Sequence, residues 1–116
     1  MDFPERDWQQ LRAVHPVALA RYCERVLSEA AAIIADERVT AHERYVDLAR
    51  AIGYHTGQMA GAFDDMRRSR GMERLASLIG LQLLTDAELA RFSQDVRASA
   101  VALSDLLTTT SIEPPE

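Results

Sequence analysis

Three groups of side chains in this 116-residue chain have types and spacings that point to chemistry or contact. The first is centred on His55. On a helical wheel Leu48, Ile52, Met59, Ala62 and Met66 fall within about 60° of it, which sets an imidazole in the middle of an apolar face. A buried imidazole needs a hydrogen-bond partner or stays neutral at a cost. His55 therefore reads as the centre of a small-ligand or metal-binding site, with Tyr45, Asp64 and Asp65 contributing polar groups. The plainer reading is a core histidine satisfied by a backbone carbonyl, by Tyr22 or by Tyr45.

The second group is Asp64 and Asp65 followed by Arg67, Arg68, Arg70 and Arg74. Four guanidinium groups near the start of a helix could hold a phosphate, with the free backbone amides of the first turn adding to their charge. The alternative is structural: arginines opposing the negative end of a helix dipole, with Asp64 and Arg68 paired at i, i+4. The third group is Ala49, Gly53, Gly57 and Gly61, a small residue at every fourth position on the side opposite His55. Each interior glycine costs roughly 1 kcal/mol relative to alanine, so the stripe implies a compensating gain. Close approach of another helix backbone is such a gain, which makes these four residues the expected interface with a second chain. Packing on both sides within one chain, or a kink, would use the same glycines differently.

Catalytic and metal motifs are not found. No Glu is followed three residues later by His, as di-iron bundles require, and His42 and His55 diverge by about 220° on one helix. Glu-x-x-Glu and Glu-x-x-Asp spacings are absent from the expected helices, and a Gly-x-Ser-x-Gly elbow and a phosphate-cradling glycine loop do not occur. Cys23 points to an apolar helix face, and the absence of lysine removes Schiff-base chemistry. No cofactor and no metal are expected, and the balance falls against an enzyme.

Charge narrows the partners. The formal net charge is −5, and Arg91 and Arg97 are offset by Asp86, Glu88 and Asp95 where a DNA-reading helix would lie. Nucleic acid and anionic membranes are therefore poor partners. A single cysteine fits a reducing compartment, the acidic opening is unlike a secretory signal, and no apolar run approaches 18 residues. The expectation is a bacterial cytoplasmic protein without a membrane partner.

These groups need helices to position them. Abundant Ala, Leu, Arg and Glu with five glycines and four prolines predict an all-α fold: a single-domain, self-associating bundle of four or five helices over 1–107. Pro4 suits the first turn of a short helix to Val14, and Pro16 that of a second to Glu37. The second carries an apolar stripe through Leu19, Tyr22, Cys23, Val26, Leu27, Ala30, Ile33 and Ile34. Thr40 with Glu43, and Thr85 with Glu88, have the spacing of capping boxes. The Thr40 helix is expected to reach Arg68, and Ser69 to Gly71 to break it. A short, centrally buried helix then carries Leu75, Ala76 and Ile79. Leu89, Phe92, Val96, Ala100, Leu103 and Leu107 give the last inward stripe, which Ser93 can interrupt by capping a new helix. Residues 108–116 read as a disordered C-terminal tail. The expected function is a non-enzymatic helical interaction module that homodimerises or binds a partner helix. The ligand-binding bundle and the arginine-based regulator of nucleic acid or phosphate stand as alternatives.

Overall fold

The computed structural model describes residues 3–110, and five α-helices carry the fold with no strand among the described residues. They are α1 (Glu5–Ala35), α2 (Ala41–Phe63), α3 (Gly71–Gly80), α4 (Asp86–Leu89) and α5 (Gln94–Thr110), with a 3₁₀ turn at Arg68–Arg70. The chain is an all-α helical bundle.

Helix α1 corrects the expected division at Pro16, which lies inside one continuous helix, as does His15. Proline removes one backbone hydrogen bond and normally costs about 3 kcal/mol in a helix interior. Here Leu11, Val14, Ala18, Tyr22 and Val26 are all buried, so both halves of α1 share one buried stripe. Packing along that stripe outweighs the local defect. The expected stripe fails beyond Val26, because Leu27 and Ile34 are exposed.

Thr40 caps α2 by accepting the Glu43 N–H at 3.2 Å. The return half of the box differs from expectation: the Glu43 carboxylate takes the Thr40 hydroxyl at 3.1 Å instead of the backbone N–H. The helix ends at Phe63, five residues before the expected Arg68. Asp65 adopts a left-handed backbone with φ 60°, which aspartate tolerates better than bulkier residues and which a helix cannot continue through.

Helix α3 is central, with Leu75, Ala76 and Leu78 fully buried. It closes in a Schellman turn: Gln82 sits at φ 57°, its N–H bonds the Ile79 carbonyl, and the Leu83 N–H reaches back to Leu78. Arginines of α1 take the carbonyls this turn leaves open, Arg25 on Leu81 and Gln82 and Arg21 on Leu83. Thr85 and Glu88 form the complete capping box of α4. Ser93 does divide the last segment, and α5 begins at Gln94.

Helix α5 packs on α3, with Val96 and Ala100 of α5 and Phe92 just before it in the core cluster, while α1 pairs with α2. Leu107 departs from its expected inward stripe and is exposed. The helix reaches Thr110, so the first three residues of the expected tail are helical; 111–116 lie outside the described residues. No helix among the described residues is long and apolar enough to cross a membrane.

Candidate functional site

His55 is drawn against α1 by two side chains. Its Nε2 lies 2.6 Å from a Glu29 carboxylate oxygen and its Nδ1 2.8 Å from the Tyr22 hydroxyl. An ionised carboxylate only accepts, so in the neutral ring Nε2 carries the hydrogen and donates to Glu29. Nδ1 then accepts from Tyr22. Tyr22 is 2% exposed, and burial, with lesser contributions from Tyr54 and Glu29, pushes its phenol above the ordinary range while Arg25 opposes the rise. Tyr54 packs edge-on to the imidazole at 5.2 Å.

Of the partners expected for His55, only Tyr22 is present. Tyr45 is 71% exposed and stands ten residues away, about 15 Å along the helix. Asp64 and Asp65 lie beyond the end of α2, and Asp65 is bound to Arg67 at 2.8 Å, which holds its carboxyl below the usual range. Both ring nitrogens of His55 are committed, so a metal or ligand would have to displace Glu29 or Tyr22. Among the described residues no group of three or more His, Cys, Asp or Glu side chains is placed to hold a metal ion. The relay works as a pin between α1 and α2.

The arginine cluster is likewise spoken for. Arg67 pairs with Asp65, and Arg68 with Glu5 and the Phe3 carbonyl. Arg70 pairs with Glu73, and Arg74 donates to the Gly61 carbonyl at the end of α2. The expected Asp64–Arg68 pair gives way to Arg68–Glu5 because α2 stops before a helical i, i+4 spacing can form. An incoming phosphate would have to compete with these partners.

The glycine stripe is in the open. Ala49, Gly53, Gly57 and Gly61 are exposed, and a Cβ built at any of the three glycines meets nothing within 4 Å. Packing within the chain therefore does not explain them. Gly57 and Gly61 line a groove of about 400 Å³, whose other walls include Gly80 of α3 and Leu107 of α5. Three of the chain's five glycines thus face one channel. Around them the exposure is general: from 27 to 61, covering the end of α1, the turn and nearly all of α2, no residue is buried. Ile52 and Tyr54 are among the apolar side chains left open.

One buried polar group gave no sign in the sequence. Asp7 is fully buried on α1 and accepts from the Ser93 N–H at 2.7 Å and the Ser93 hydroxyl at 2.8 Å. It ties the start of α1 to the start of α5. Its partner is 86 positions away, beyond the reach of any local pattern.

Taken by architecture, the molecule is an all-α bundle with a projecting helical arm. Compared with known proteins, the chain matches no family model, no curated protein and no solved structure.

Proposed function

We propose that this protein is a non-enzymatic helical interaction module of the bacterial cytoplasm, and that its α1–α2 arm docks on a second copy through Ala49, Gly53, Gly57 and Gly61. The observation that carries this reading is the thinly covered arm: no residue of 27–61 is fully buried, and the glycine face has open space above it. Most helices draw their stability from packing an apolar face, and this one lacks a full partner within its own chain. A four-residue repeat of small residues is also symmetric about its centre. In an antiparallel two-fold pair Ala49 would meet Gly61 and Gly53 would meet Gly57, as an isologous contact requires. The single cysteine fits the reducing compartment.

The test is mass in solution as a function of concentration, by light scattering or sedimentation, for the wild type and Gly57→Leu. The wild type is expected to approach twice the chain mass as concentration rises. Gly57→Leu is expected to remain at the chain mass without loss of thermal stability, because its side chain enters open space in the monomer. A wild type that stays monomeric at every concentration rejects the second copy, and a dimer indifferent to Gly57→Leu rejects the glycine face.

A further inference from the structure

A second cleft, sharing no residue with the glycine groove, opens between the start of α1 and the end of α2. It has a volume of about 270 Å³ and is lined by Trp8, Arg12, His15, Phe63 and Met66. Two features of the fold assemble it. Because α1 runs unbroken through Pro16, Trp8, Arg12 and His15 stand at i, i+4 and i+7, within about 60° on one stripe. Because α2 stops at Phe63 and Asp65 turns left-handed, Met66 returns to pack against the core cluster beside that stripe.

The lining divides into an apolar wall and a cationic rim. Phe63 is 7% exposed, while Trp8 and Met66 lean on the core and keep part of their surface open. The His15 Nε2 lies 3.3 Å from the Phe63 carbonyl, which can only accept, so this nitrogen donates and the ring is held edge-on to Phe63 at 5.2 Å. Arg12 differs from the arginines already described. Arg21, Arg25 and Arg68 each bind a carbonyl or carboxylate, whereas Arg12 is exposed and makes no hydrogen bond or ion pair with any described residue.

We propose that this cleft binds a small aromatic carboxylate, its ring against Trp8, Phe63 and Met66 and its carboxylate on Arg12. Aromatic and thioether walls favour a planar, polarizable ring. A guanidinium matches a carboxylate with two parallel hydrogen bonds, and one uncommitted cation matches a single negative charge. The volume lies just under the usual range for drug-sized ligands, roughly 300–1,000 Å³, which limits the occupant to about one ring.

Trp8 is the only tryptophan in the chain, so its fluorescence reports on this cleft alone. Phenylacetate titrated into the full chain is expected to change Trp8 emission saturably, with a Kd in the millimolar range typical of so small a ligand. Phenylacetamide, which keeps the ring and loses the charge, is expected to bind about fivefold more weakly or worse. Arg12→Gln is expected to weaken phenylacetate by a similar factor with unchanged helicity, since Arg12 supports nothing else. Absence of a saturable change, equal binding of the amide, or full affinity in Arg12→Gln overturns the proposal. Should Arg12→Gln lose helicity, the comparison of the two probes on the wild type decides it.

Discussion

Glu88 receives more hydrogen bonds than any local pattern would give it. Beyond the Thr85 backbone N–H of its capping box, it binds both terminal nitrogens of Arg21, at 2.6 and 3.0 Å. Arg21 first, then Thr85, lower its carboxyl from 4.5 to about 2. A carboxylate whose pKa falls on folding contributes stability above its unfolded value and loses it as pH drops through the folded one. The unfolding free energy of the wild type is therefore expected to exceed that of Glu88→Gln at neutral pH by on the order of 1 kcal/mol, since Arg21 is partly in solvent. The excess should persist down to pH 4.5 and vanish as pH approaches 2. Denaturant titrations of both proteins across that window check this, and a constant difference would refute it. The capping role of Glu88 was readable from its spacing to Thr85. Its larger role was not, because Arg21 is 67 positions away, and the same holds for Asp7 and Ser93.

Helix starts proved more legible than helix ends, for a physical reason. A start is declared by local chemistry, as at Thr40 and Thr85, whereas Pro16, Asp65 and Gln82 take their conformations from what packs around them. Glycine shows the same division. Sequence set Gly53 inside a helix and Gly71 in a break; both are helical, yet their surroundings predict opposite signs for one substitution. At Gly53 a Cβ meets nothing, so Gly53→Ala should raise the stability of dilute, monomeric protein by about 0.5–1 kcal/mol through helix propensity. At Gly71 a Cβ would lie 2.6 Å from Cδ2 and 2.7 Å from Cγ of Phe3, whose ring is 4% exposed. Displacing that ring should cost about 1–3 kcal/mol, more than the propensity gained. Thermal unfolding of the two variants at low concentration should thus shift in opposite directions. A shift of the same sign in both would mean that Phe3 moves aside or that Gly53 is already covered.

At the scale of the whole molecule, composition announced an all-α fold but not its shape. The described chain measures 51 × 27 × 24 Å, and a helix of 31 residues is itself about 46 Å long, so α1 sets the long axis. Dividing α1 at Pro16 would have folded that length back on itself and predicted a rounder bundle. Because α1 continues, its second half carries α2 out beyond the core formed with α3 and α5. That arm is held by the His55 pin, by the Arg44 bond to the Ile34 carbonyl at 2.8 Å and by partly buried contacts, so it should open without unfolding the rest. In hydrogen exchange on dilute protein, the amides of 41–58 are expected to exchange through openings well below the global free energy. Those around Leu75 and Leu78 should require global unfolding. Raising the protein concentration should slow exchange along 49–61 and leave α3 unchanged if a second copy covers the glycine face. Equal protection of arm and core in dilute solution would show that the arm needs no partner for its stability, and would remove the energetic reason for the proposed docking.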